Sequence, residues 1–246
     1  MAYDKKKIID IALAEVGYLE KETKSQLDNK TANAGNENYT KYARDLDAIS
    51  FYNGRKQGAA WCDIFVDWCF VQAYGKAAAL KLTCQPTNNK NNCGAGCKWS
   101  RQYYQKKGQF YSTPREGDQI FFYGSDGSTI SHTGLVYAVD NTYVYTVEGN
   151  TSSASGVVAN GGAVAKKKYK LNYNRLAGFG RPEYGEVVVK ENIKGYMTYT
   201  VQRGDSLWNI ARKELGKPKR YKEIMVLNKL KSDLIKPGQV LKIPVK

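Results

Sequence analysis

Two residues could make a nucleophile and its base. Cys62 lies in AAWCDIFVDWCF (59–70), and His132, the one histidine of the chain, lies in ISHTGLVYAV. Ile64, Phe65, Trp68, Cys69 and Val71 recur at the spacing that puts apolar groups on one helical face, with Cys62 at its head. A cysteine there meets free backbone N–H groups and the positive end of the helix dipole, and both favour thiolate. The competing reading is a buried structural thiol, because free cysteine is among the most buried residue types. If imidazole activates Cys62, the base must be His132. Such a pair also needs a third group that orients the ring and stabilises its protonated form. The stretch TVEGN supplies Glu148, an anionic acceptor, and Asn150, a neutral one, on a common face with Thr146. The plainer reading of His132 is a histidine that merely sits at a strand end.

These side chains meet only if the elements carrying them are in register. DQIFFYG, SHTGLVYAV and TYVYTVEG are β-branched and aromatic runs separated by turn residues, which predicts strands. Residues 132–139 and 143–150 read as a hairpin with Asp140, Asn141 and Thr142 as its loop. That pairing sets His132 opposite Asn150 and makes Glu148 its diagonal neighbour on the same face. A two-residue loop would send Glu148 to the other face, so the odd-length loop is expected.

The chain of 246 residues, 42% apolar, suggests one or two domains with a real core. No apolar run is long enough to span a bilayer. The opening MAYDKKKIIDIALAEVG reads as an amphipathic helix with Asp4 as cap rather than as a secretory leader, since Asp10 and Glu15 interrupt its apolar run. Synthesis in a cytoplasm without an export signal is the expectation, and reduced thiols follow from it. The five cysteines are Cys62, Cys69, Cys84, Cys93 and Cys97, an odd number. CGAGC (93–97) raises a zinc half-site, or a Cys93–Cys97 or Cys84–Cys93 bridge, as minority readings. The net charge of +15 implies an anionic partner: nucleic acid, membrane or a wall polymer. Nucleic acid is disfavoured by the lack of zinc-finger spacing, of a single-strand or RNA signature and of a dense Arg cluster.

Helical patterns come first and strand patterns later, which predicts an α+β domain over residues 1–184. KSQLDNKTANAGNENYTKY and QPTNNKNNCGAGC read as loops, and KWSRQYYQKKG as a short helix ending at Gly108. GEVVVKENIKGY (185–196) reads as a linker that spans about 40 Å when extended. Residues 197–246 read as a strand, a helix capped by Asp205 or Ser206, a second helix and a closing strand VLKIP. Leu207, Ile210, Ala211 and Leu215 form an apolar face there. This tail holds twelve Lys/Arg against four Asp/Glu, eight of the fifteen net charges.

The tail, through YTVQRGDSLWNIA and LIKPGQVLKIP, resembles the LysM domain. The resemblance implies binding to glycan strands that contain N-acetylglucosamine, in a groove between two loops. On this sequence those loops hold Gly204, Asp205, Ser206 and Leu207 on one side and Leu234, Ile235 and Lys236 on the other, although Leu207 and Leu234 also suit plain core packing. The order WCDIFVDWC, PREGDQIFFYG, SHTGLV, VEGN over residues 10–180 is similar to the CHAP family of cysteine, histidine-dependent amidohydrolases/peptidases. That resemblance implies a papain-like α+β fold and cleavage of peptidoglycan amides. It makes Cys62 the nucleophile, His132 the general base, and Glu148 with Asn150 the orienting groups. Some family members bind calcium through an acidic loop before the cysteine; ISFYNGRKQGAAWC has no carboxylate cluster, so no metal and no cofactor is carried over. For the oxyanion, the Cys62 N–H is the natural donor and Gln57 a speculative one.

The expected protein is therefore a phage endolysin-like peptidoglycan amidase or endopeptidase with bacterial peptidoglycan as its partner, acting on the wall after release. An autolysin exported by another route, a cysteine protease acting on proteins, and a non-catalytic wall-binding protein with an inactive first domain are the alternatives. The amide cut, between muramic acid and alanine, inside the stem or in the cross-bridge, is left open, as is the oligomeric state.

Overall fold

The computed structural model describes residues 3–158, 160–185, 195–230 and 232–245. The chain divides after Gly185 into two compact units. Most of the expected linker, residues 186–194, lies outside the described residues.

The first unit is α+β. It opens with α1 (Lys5–Ala14), whose first turn is capped by Asp4 accepting from the Lys6 N–H at 3.0 Å. After a long loop, α2 (Lys41–Ala48) is capped by Thr40. Then come α3 (Cys62–Tyr74), α4 (Lys76–Leu82) and α5 (Cys97–Lys106). The strands β1 (Phe110–Tyr111), β2 (Gln119–Tyr123), β3 (Ile130–Val139), β4 (Tyr143–Thr151), β5 (Ala163–Lys170) and β6 (Leu176–Gly180) form one antiparallel sheet in the order β1-β6-β2-β3-β4-β5. Helix α3 is buried on almost every side, so it is apolar all round rather than striped. Ile64, Phe65 and Val66 pack with Leu135 and Val147 from one face of the sheet. Ile120, Phe122, Val136 and Val144 point to the other face and join Tyr169 and Phe179. In β5, last in the sheet order, Lys166, Lys168 and Lys170 are exposed, a pattern that discourages edge-to-edge pairing.

The β3–β4 hairpin corrects the expected three-residue loop. Val139 pairs with Val144, and the Asp140 N–H donates to the Tyr143 carbonyl at 3.0 Å, so the connection is even. That register alone would put Glu148 on the face away from His132. A bulge at Tyr137 intervenes, and beyond it Val136 pairs with Thr146 and Leu135 with Val147. One extra residue in β3 therefore restores the pairing that places Gly134 opposite Glu148, with His132 and Glu148 on one face.

The second unit runs β7 (Tyr196–Thr200), α6 (Leu207–Leu215), α7 (Tyr221–Leu227) and β8 (Val240–Pro244), with β7 and β8 antiparallel. Ser206 is the cap of α6, accepting from the Asn209 N–H at 3.2 Å, and Gly216 ends the helix in the left-handed region at φ 73°. Val201, Leu207, Ile210, Ala211, Leu215, Ile224, Leu241 and Ile243 make a separate core. Among the described residues no helix is long and apolar enough to cross a membrane.

Candidate active site

Cys62 is the first residue of α3, and no side chain caps that helix. The position before it is Trp61, fully buried among Tyr18 and Tyr42, with its Nε1–H donating to Glu20 Oε2 at 2.7 Å. Gly149 leaves room for this ring: a Cβ there would come within 2.8 Å of Trp61 and 2.6 Å of Phe65. The Asp63 N–H at this uncapped helix end is among the groups that favour the Cys62 thiolate.

His132 is fully buried and a close neighbour of Cys62, each favouring the charged form of the other. Its Nε2 lies 2.9 Å from Glu148 Oε2. Nδ1 makes no hydrogen bond among the described residues and is the ring nitrogen not held by Glu148. Phe122 stacks on the ring at 6.0 Å. Glu148 is itself held: Oε1 accepts from Thr146 Oγ1 at 2.6 Å, and Oε2 accepts from the Tyr169 hydroxyl at 3.1 Å. The carboxylate is thus fixed by one neighbour on its own strand and one from β5.

The electrostatics match an ion pair. The Cys62 thiol is held well below its ordinary value, first by the neighbouring Cys97 side chain, against the opposing effect of burial, and then by His132 and the Asp63 N–H. Burial works against a charged imidazole, yet the hydrogen bonds to Cys62 and Glu148 and the charge of Glu148 raise His132 to about 9. The helix dipole contributes about 0.3–1 kcal/mol, less than the roughly 1.36 kcal/mol of one pKa unit. The rest comes from Cys97 and His132 together.

Asp63, the neighbour of Cys62, is buried and bonded to both sides of the site. Its Oδ2 accepts from Ser100 Oγ at 2.7 Å and its Oδ1 from Gln119 Nε2 at 2.8 Å. Gln119 Nε2 also reaches Thr133 Oγ1 at 3.1 Å. One amide thus joins the residue after Cys62 to the residue after His132.

Asn150 makes no hydrogen bond to His132 among the described residues, and its buried Nδ2 has no partner there. It follows Glu148 where the β4–β5 register shifts, at φ 51°, and its Oδ1 accepts from the Gly162 N–H at 3.4 Å. Gln57 is also spent elsewhere, since its amide brackets the backbone of Thr40 with two 3.0 Å hydrogen bonds. All five cysteines are free, and no cluster of three potential metal ligands occurs among the described residues. A cavity of about 430 Å³ is lined by Tyr137, Tyr145 and Lys166–Lys168 but includes neither Cys62 nor His132.

Residues 53–150, which contain all of Cys62, His132 and Glu148, match the family model of the CHAP domain, and residues 199–244 match that of the LysM domain. The chain carries a CHAP domain followed by a LysM domain. Over 48 residues it is 50% identical to the uncharacterized protein YkzQ of Bacillus subtilis (strain 168), a match that covers 20% of this chain and 60% of that protein. The crystal structure of Ly7917 aligns over 80% of this chain and 65% of its own, at 12% identity and TM-score 0.43. Ly7917 with the hydrolyzing product of MDP gives 11% identity, TM-score 0.42 and coverages of 80% and 66%. The chain thus spans less than two thirds of the length of each of these proteins.

In the LysM domain the expected glycan loops lie at one end of the β7–β8 pair, where Val201 and Gln239, and Gly238 and Val201, exchange backbone hydrogen bonds. Gly204 takes φ 91° with open space around it. Asp205 Oδ2 accepts from the Gln202 N–H at 2.7 Å and the Tyr199 hydroxyl at 2.9 Å, so it shapes the loop. Leu207 is 2% exposed and its side chain belongs to the core, which corrects its expected place on the groove. Ile235 is half-buried against that core, whereas Leu234 is 84% exposed.

Proposed function

We propose that this protein is a peptidoglycan hydrolase in which the CHAP domain cleaves an amide of the stem peptide or cross-bridge and the LysM domain holds the enzyme on wall glycan. The observation that carries this reading is the buried Cys62–His132–Glu148 relay, with Glu148 2.9 Å from His132 Nε2. Cys62 attacks the amide carbonyl as thiolate. The oxyanion forms at the head of α3, where the Cys62 backbone N–H is the natural donor. His132 protonates the leaving amine, and then, as a base, it activates the water that hydrolyses the thioester. Glu148 fixes the ring and stabilises its charge throughout.

The basic LysM domain suits an anionic wall, and the setting that fits both domains is an endolysin reaching the wall after release. Zymography on sacculi with the parent and Cys62→Ala tests the catalytic reading. Clearing by the parent alone supports it; equal binding with no clearing by either would leave a wall-binding protein with an inactive CHAP domain. Mass spectrometry of the digested sacculi identifies the amide.

A further inference from the structure

The proposed reaction uses one thiol, yet the site holds two. Cys97 is the first residue of α5, as Cys62 is of α3, and the two helix heads are latched by the 2.7 Å hydrogen bond from Ser100 to Asp63. The Cys97 sulfur lies 3.8 Å from the carbonyl of Ile130, two residues before His132 on β3. Its side chain is a neighbour of Cys62 that favours the Cys62 thiolate, and both residues are buried, at 7% and 6% exposure. We propose that Cys62 and Cys97 form a reversible oxidation site, in which Cys97 resolves a sulfenic acid on Cys62 into an intramolecular disulfide. The proposal rests on Cys62 being the reactive thiolate of the preceding section.

The chemistry balances with a hydroperoxide as oxidant. The Cys62 thiolate attacks one peroxide oxygen, the O–O bond breaks, and hydroxide leaves as Cys62 becomes sulfenic acid, S–OH. The Cys97 sulfur then attacks the Cys62 sulfur. The S–S bond forms, the S–O bond breaks, and the departing hydroxyl takes the Cys97 proton as water. The first step also prepares the second. Cys97 is held as thiol chiefly by its hydrogen bond to the Cys62 anion, by burial and by that anion's charge. Oxidation replaces the anion with a neutral group and lifts its share of that restraint, while burial and the Asp63 charge remain. Cys69 and Cys84 are held as thiols chiefly by burial, which oxidation of Cys62 does not relieve. Cys93 is exposed and is the competitor to exclude.

The test uses the full chain, fully reduced, then treated with a modest excess of hydrogen peroxide and divided into samples with and without dithiothreitol. Lysis of sacculi and Cys62 alkylation before treatment establish separately that Cys62 is the working nucleophile, so failure of that reading shows before any oxidant is added. The expected result is loss of lysis, loss of two hydrogen atoms in intact mass, a linked Cys62–Cys97 peptide, and recovery of more than half of the activity on reduction. Cys97→Ala, compared with its own untreated activity, is expected to gain two or three oxygens on Cys62 and to recover less than a tenth. The proposal is overturned if the parent accumulates sulfinic acid on Cys62 with no such linked peptide, or if the main link is to Cys93. Equal recovery in Cys97→Ala overturns it too, and the parent's peptide map decides the matter should that variant fail to fold.

Discussion

Gly134 lies opposite Glu148 on adjacent strands, so close that a methyl group at position 134 would sit 2.5 Å from the Glu148 Cγ and 3.1 Å from the Val147 carbonyl oxygen. The missing side chain is the space through which the Glu148 carboxylate reaches His132. Gly134→Ala is therefore expected to displace Glu148 while leaving the nucleophile in place. Lysis should fall at least about tenfold, equivalent to about 1.4 kcal/mol of transition-state stabilisation. Lysis kinetics and melting temperature, measured together, check this: a variant as active as the parent would show that Glu148 needs no such slot.

The thiolate–imidazolium pair sets the pH dependence. Activity should rise as pH climbs past the depressed Cys62 value and fall as pH passes about 9, where His132 loses its proton. Alkylation of Cys62 by iodoacetamide at pH 6 should be fast in the parent and at least tenfold slower in His132→Ala. Glu148→Gln removes the anion that helps raise His132, so the descending limb should move to lower pH. A limb that stays at about 9 in that variant would assign it to another group.

Much of this site was legible in the sequence because chemistry limited the choices. One histidine left one base for Cys62, and strand alternation placed Glu148 on its face. The reason for that placement was not legible. The hairpin loop is even, and a bulge at Tyr137, which leaves no clear mark in an alternating run, corrects the register. Strands β5 and β6 and helices α2 and α4 were missed because AVAKKKYK and KYARDLDA are dominated by charge or by weak periodicity, and long-range packing decides them. Tyr169, Gln119 and Cys97 were missed for a related reason: each acts across tens of residues through a single contact. Alternation does not fix where Asn150 points, because the backbone turns left-handed there. Its neighbours Gly161 and Gly162 were the available hint of irregular backbone there.

Gln119 should be a positioning residue. It bonds to Asp63 and Thr133, the neighbours of Cys62 and His132. Gln119→Ala leaves Asp63 with Ser100 as its remaining side-chain donor and is expected to cost about 1–3 kcal/mol of stability. Turnover should fall several-fold with little change in KM, because the two reacting groups lose their common tie. Gln119→Glu sets a second carboxyl against Asp63, whose own acid is already pushed up by burial and by Asp67. A carboxyl raised in the folded state favours folding least where the unfolded chain has ionised, so this variant should lose stability as pH rises above about 4. Melting curves from pH 4 to 8 check the sign, and a variant that gains stability over that range would refute it.

The LysM domain has a core of its own, built from Leu207, Ile210, Leu215, Ile224, Leu241 and Ile243, so its removal need not unravel the CHAP domain. A tether raises the local concentration of stem peptides without touching the Cys62 cleft. Deleting residues 197–246 should therefore weaken binding to sacculi at least about tenfold and slow lysis most at low enzyme concentration. Turnover of a small soluble muropeptide should change less than about twofold. Leu234→Ser in the intact protein provides a finer test, since this side chain is almost wholly exposed on one of the two expected glycan loops. It should weaken sacculus binding with no change in melting temperature, whereas a loss of soluble-substrate turnover in either variant would mean that the LysM domain also shapes the catalytic cleft.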